Sequence, residues 1–294
     1  WIAAGGALLA LFATWMVFVI NRKGWRWLWT SALIVGILFV VFFFLINLVF
    51  GMWSRAQPCW GRLDDVLRSQ GGTTGKVRDL IWQGSTAMSL PHEPIEFPPL
   101  VGSSTEWQPD KFNFLRPIVG HGPESMYVAY NRFYPPLLGH YESRTATPDR
   151  SHNETLDTLV ITGVLGCAAY LWLFGGVFYY GLRWVGFIPN DWRRIAFFAL
   201  LVVGALATVL TVSFIPSLGP HFFGLAIPVG MVAALFVYLT VYGFAAYRNP
   251  GDVSAGHPYA VLLTGILSAV VAHFIELQFA FSCAANRTTF WALM

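Results

Sequence analysis

The chain has 294 residues, of which 56% are hydrophobic and only 11% charged, with a formal net charge of +3. A soluble domain carries about 25% charged residues, so the composition excludes an ordinary soluble fold and points to a membrane protein. The positive charge is too small and too scattered for a nucleic-acid partner, and Cys59, Cys167 and Cys283 lie too far apart for a metal site or a disulfide framework.

A membrane-crossing helix needs about 20 mostly apolar residues to traverse roughly 30 Å. Six stretches meet that need: about 1–20, 27–53, 156–182, 195–216, 221–247 and 258–283, and a seventh begins near Thr289. Few carry charge, so the predicted class is an all-α polytopic membrane protein rather than a barrel. The 13 Trp and 25 Phe suit lipid-facing surfaces and interfacial anchors. The chain starts at Trp1 inside one apolar run and stops at Met294 inside another, which reads as part of a longer polypeptide.

Orientation follows from the short connections. Arg22, Lys23 and Arg26 follow the first span, Arg183, Arg193 and Arg194 the third, and Arg248 the fifth, whereas "PSLGP" (216–220) holds no basic residue. An excess of Lys and Arg marks cytoplasmic loops. The long segment 54–155 is thereby predicted on the extracytoplasmic side of the cytoplasmic (inner) membrane, between two spans in 1–53 and the four that follow 156. It holds 11 of the 17 prolines, yet Trp60, Trp82, Trp107, Tyr127, Tyr130, Phe133, Tyr134 and Tyr141 give it too much to bury for a disordered linker. The reading is an ordered cap, with helices near 61–69, 75–88 and 123–133 and Pro-rich extended chain up to about 120.

"GGTTGKV" (71–77) is not a phosphate loop: three residues rather than four separate Gly71 from Gly75, and Val77 follows Lys76. It reads as a Gly-Thr turn and N-cap opening the helix at 75–88. On that helix Arg78 and Trp82 share a face. Arg offers a planar fork suited to phosphate oxygens and Trp suits the headgroup layer, although a solvated Arg beside a Trp anchor fits equally. Gly120 and Gly122 in "PIVGHGPESM" read as an anion-binding backbone nest or as a plain turn. His152 immediately precedes the third span, near the positive end of its helix dipole, which favours the neutral, proton-accepting imidazole; a plain helix cap is the alternative. His273 and Glu276 share a face within the sixth apolar stretch, as a polar pair in the membrane serving either packing or a substrate. His92, His121, His140, His221 and His257 show no partner spacing.

The order "GKVRDLIW", "PIVGHGPESM", "SHNETLDTLVITGVLG" resembles the C-terminal part of the O-antigen ligase and polymerase superfamily of bacterial membrane glycosyltransferases. That family shows an Arg followed by Trp, then P-x-x-G-x-G, then His-Asn before a helix bearing G-x-x-G. The matching residues are Arg78 with Trp82, Pro117 with Gly120 and Gly122, His152 with Asn153, and Gly163 with Gly166. The resemblance implies transfer of a glycan from a polyprenyl-diphosphate carrier to a hydroxyl of a growing glycan or a lipid core, as in lipopolysaccharide synthesis, without metal or other cofactor. Carried over, Arg78 is the diphosphate ligand and His152 the general base, with Arg116, Arg132 and Arg150 as possible supporting cations. The family's further Arg, in a Ser-Arg-Gly-type motif, would fall upstream of residue 1. Two other expectations stand beside this one: a non-enzymatic polytopic subunit of a larger membrane complex, and a transporter using His273 and Glu276.

Overall fold

A computed structural model of the chain describes residues 73–97, 108–143, 145–215, 218–248, 259–280 and 288, and these are mostly helical. The spans predicted at 1–20 and 27–53, the helix at 61–69 and the start of a seventh span lie outside the described residues.

Helix α1 (Thr73–Ser89) opens at the Gly-Thr stretch. Val77, Leu80, Ile81, Ser85 and Met88 recur at three- and four-residue steps and are buried, the stripe a helix lays against a core. Ser85 and Ser89 return their hydroxyls to the carbonyls four residues back, at 2.8 and 2.9 Å. The next stretch, expected as extended chain to about 120, is extended where described up to Pro109 but not beyond, and 98–107 lie outside the described residues. A two-residue antiparallel ladder, β1 (Glu96–Phe97) with β2 (Gln108–Pro109), gives way to a 3-10 turn at Asn113–Leu115 and to α2 (Arg116–Val119). The Asp110 carboxylate forces this reversal, accepting from Phe112 N at 3.0 Å and from Arg116 Nε at 2.6 Å and Nη2 at 3.2 Å. The helix expected over 123–133 is two short turns, α3 (Met126–Ala129) and a 3-10 turn at Tyr130–Phe133. Pro135 and Pro136 end it, and α4 (Leu138–Tyr141) follows. The buried Tyr130 ring lies against Gly84, where a Cβ would come 2.5 Å from its hydroxyl. Val77, Leu80, Ile81, Met88, Met126 and Tyr130 thus form one small core with Val160 of the following helix.

That helix, α5 (Glu154–Val185), has 32 residues and would be roughly 48 Å long if straight. Gly163 breaks it, with φ 66° and ψ −168°. The break frees the carbonyls of Val160 and Ile161, which accept from His121 N at 2.9 Å and Gly122 N at 3.0 Å. Residues 164–185 beyond it measure roughly 33 Å, a bilayer's hydrocarbon thickness. The opening turns, with buried Glu154 and Asp157, belong to the cap layer. Left-handed Gly186 (φ 94°) ends α5, with Phe187 N donating to Leu182 O at 2.8 Å.

Helix α6 (Asp191–Ser213) is capped by Asn190, whose Oδ1 accepts from Arg193 N at 2.9 Å. A 3-10 turn at Pro220–Phe222 leads into α7 (Phe223–Arg248), and α8 (Ala260–Glu276) closes the set. Helices α6 and α7 cross at glycine: a Cβ on Gly204 would lie 2.5 Å from Gly230 O, and one on Gly230 would strike the Gly204 carbonyl. Thr208 Oγ1 adds a 2.7 Å bond to Ala226 O across the same contact. Close backbone approach at small residues, reinforced by hydroxyls, is how helices associate where lipid removes any hydrophobic drive. Aromatic rings fill the remaining core: Phe174 and Phe274 meet at 4.4 Å, Phe197 and Tyr238 edge to face at 5.3 Å.

Three stretches, Glu154–Val185, Asp191–Ser213 and Pro220–Tyr242, are long and apolar enough to cross a membrane, corresponding to the third, fourth and fifth predicted spans. The sixth does not reach the 258–283 expected. Helix α8 has 17 residues, roughly 25 Å, and stops where its end is tied to the start of α5. Leu277 O accepts from Glu154 N at 2.9 Å, Gln278 O from Asn153 Nδ2 at 3.0 Å, and Gln278 Oε1 from Thr155 Oγ1 at 2.8 Å.

Candidate functional site

The seam between cap and bundle gathers Arg78, Trp82 and His152. At its centre Ser151, His152 and Asn153 precede α5. Ser151 is fully buried, its N–H and hydroxyl reaching Asp157 Oδ1 at 3.1 and 3.3 Å. Asn153 is also fully buried and caps α5 by accepting from Leu156 N at 2.9 Å. With both neighbours fixed inward, His152 takes a left-handed backbone, φ 54°. For a residue other than Gly, Asn or Asp such a conformation costs about 1–2 kcal/mol and is retained where the surroundings impose it.

Helix α1 docks on this loop. Buried Trp82 donates from Nε1 to Ser151 O at 2.9 Å. Arg78, one turn earlier, is half-buried and is the strongest cation acting on His152. Burial first, and then the Arg78 charge, hold the His152 imidazole below its ordinary value, against Asp149, Asp157 and Glu142. The neutral ring expected from the helix dipole is thus favoured by desolvation and a neighbouring guanidinium. Among the described residues Arg78 has no carboxylate or hydrogen-bonding partner.

The supporting cations fare differently, because each meets a carboxylate. Arg116 holds Asp110 at 2.6 Å and, with burial opposing, keeps that carboxyl below its usual range. Arg150 bridges Asp157 at 3.0 Å and Glu124 at 2.5 Å. Arg132 meets exposed Glu93 at 3.4 Å. Arg116 and Arg150 thus hold buried carboxylates of the cap, while Arg132 makes a surface contact. Asn153 likewise has its side chain occupied at both ends, by Leu156 N and Gln278 O.

Nor is the glycine pair an anion nest. Gly120 N donates to Arg116 O at 2.8 Å, while the His121 and Gly122 amides go to α5. Gly120 (φ 76°) and Gly163 (φ 66°) instead let two backbones touch: a Cβ on Gly120 would strike Ile161 O, and one on Gly163 would strike Ile118 O. The first glycine of each signature, Gly120 of G-x-G and Gly163 of G-x-x-G, forms one half of a single backbone junction. His273 Nδ1 lies 3.7 Å from Glu276 Oε2, but in the last turn of α8, level with the start of α5. The pair, expected within the sixth apolar stretch, sits in the last turn of that helix, at the cap end of the bundle.

One pair was invisible in the sequence. His221, in the turn before α7, has Nε2 2.8 Å from Asp79 Oδ1. The two are 142 positions apart, so no spacing signals them; only the proximity of Asp79 to Arg78 hints at relevance. Among the described residues no three of His, Cys, Asp and Glu converge as a metal-ligand group.

Fold and site together define a helical membrane protein with a folded polar cap on one end of its spans, and a cation–imidazole pair at the junction. No family model, curated protein or solved structure matches the chain.

Proposed function

We propose that the protein is an O-antigen ligase- or polymerase-like glycosyltransferase. It moves a glycan from a polyprenyl-diphosphate carrier to an acceptor hydroxyl at the outer face of the cytoplasmic membrane. The observation that carries this reading is Arg78, without a carboxylate partner among the described residues, acting on an imidazole kept neutral, with their two elements joined by the Trp82–Ser151 bond. In the step envisaged, His152 takes the acceptor O–H proton as the oxygen bonds to the anomeric carbon. The carbon–phosphate-oxygen bond breaks, and the diphosphate leaves with that electron pair, its growing charge met by the Arg78 guanidinium. A preorganised cation stabilises such a charge without reorganising.

A cleft of about 470 Å³ supports the lipid side of the reading. It runs between α5, α6 and α7 and is lined by Ala168, Trp172, Gly175, Leu206, Phe223 and Ile227 among others. Its lining is almost wholly apolar. Phe223 directly follows Phe222, which packs edge to face on Trp82 at 5.8 Å. An amphiphile with its head at Arg78 thus has a slot for the first part of its chain.

The test is glycan transfer by purified full-length protein supplied with a polyprenyl-diphosphate glycan. Arg78→Ala and His152→Ala should each lower kcat/KM by about 10² to 10⁴ while melting within a few degrees of the unaltered protein. Full turnover in both variants would remove the assignment.

A further inference from the structure

The sequence sets Asp79 beside Arg78, so a cation without a carboxylate partner among the described residues carries an aspartate on the next residue. Left to itself, an aspartate there is a competitor: it can fold toward the guanidinium or repel an incoming anion. Instead Asp79 points to the turn before α7. Its Oδ1 lies 2.8 Å from His221 Nε2, with side chains only 21% and 13% exposed. The contact runs off the ring N–H direction, and among the described residues Oδ1 has no hydrogen-bond partner, so the close approach to His221 is what holds the carboxylate there. Oδ2 receives only a long 3.5 Å contact from Gln83.

The imidazole is fixed on its other sides. Its ring packs on Phe222 at 4.7 Å, and Phe222 packs on Trp82. Gly219 leaves the opposite edge clear, since a Cβ there would come 2.7 Å from Nδ1. Three aromatic or heteroaromatic rings therefore connect the turn before α7 to the same face of α1 that positions the His152 loop.

We infer that His221 is a positioning residue of the anion site: it sequesters the Asp79 carboxylate and so leaves Arg78 free for a diphosphate. This rests on the reading of Arg78 as the diphosphate ligand. It assigns no contact between His221 and the substrate.

The test is binding of glycan-free polyprenyl diphosphate to the purified full chain in detergent. His221→Phe keeps the ring's packing on Phe222 and removes its hold on Asp79; it should weaken binding about fivefold, the scale of one partly screened charge. Adding Asp79→Asn to that variant should restore affinity to within about twofold, because no carboxylate then remains to be held. A purely structural role for His221 predicts no such rescue. Unaltered binding in His221→Phe, or a double variant as weak as the single one, overturns the inference and leaves the glycosyltransferase reading standing. Failure of the unaltered protein to bind polyprenyl diphosphate removes both. Melting curves of each variant establish that it is folded.

Discussion

In the cap and its seam the buried residues include Ser85, Asp110, Ser151, Asn153 and Asp157, each with a named hydrogen-bond partner. The core between α5, α6, α7 and α8 is built from Phe174, Phe178, Phe197, Leu235, Tyr238 and Phe274, and its helices meet at Gly204 and Gly230. The first region is specified by directional bonds and backbone junctions, the second by shape. The difference teaches where function can reside. A polar network pins the backbone on either side of His152, because moving Ser151 or Asn153 leaves buried partners unsatisfied. A bundle packed by dispersion offers no such coordinates, only an apolar wall and a slot for a chain.

This contrast can be broken at the junction. Gly163→Ala forces a side chain into a left-handed backbone and against the Ile118 carbonyl. It should cost about 3 kcal/mol or more, seen as loss of folded protein in thermal melts, because no flexible side chain stands there to yield. A milder challenge is acid. Burial first, with Arg116 and His92 adding, pushes His121 from 6.5 down to about 4, and both its ring nitrogens are buried without a hydrogen-bond partner. Below pH 6.5 the unfolded chain takes up a proton that the folded cap refuses until about pH 4. The stability this group contributes is therefore complete above 6.5 and lost as the pH falls through that window. Between pH 7.5 and 5 the unaltered protein should lose about 2–4 °C more in melting temperature than His121→Phe. The smallest effect belongs to the bundle. Thr208→Val removes the bond to Ala226 O and should cost only about 0.6 kcal/mol, the usual worth of an interhelical hydrogen bond in lipid, with no change in the pH response of the cap.

Reading the chain in order recovered α1, α6 and α7 nearly to their ends, because an amphipathic stripe and long apolar runs are local signals. The same reading took residues before 120 as extended, since prolines are visible in a sequence and the Asp110–Arg116 grip is not. It saw α8 as a full span, since "AVLLTGILSAVVAHFIE" is apolar up to His273 and its termination depends on Gln278 meeting Asn153 and Thr155, over a hundred positions earlier. Among the site residues, Arg78, Trp82 and His152 stood out by type and place. Arg116, Arg132 and Arg150 had the right charge, and only their carboxylate partners show why they are committed elsewhere.

What the sequence by itself determined is the material: a chain too apolar for water, its long helices, and a charged segment with a histidine at the head of one of them. Hydropathy and helical period are sums over neighbours, and neighbours are what a sequence lists. Which guanidinium meets no carboxylate among the described residues, which glycines join two backbones, and that Asp79 faces His221 were decided only by the tertiary structure. Charges and backbone amides act over a few ångströms of space whatever their separation along the chain.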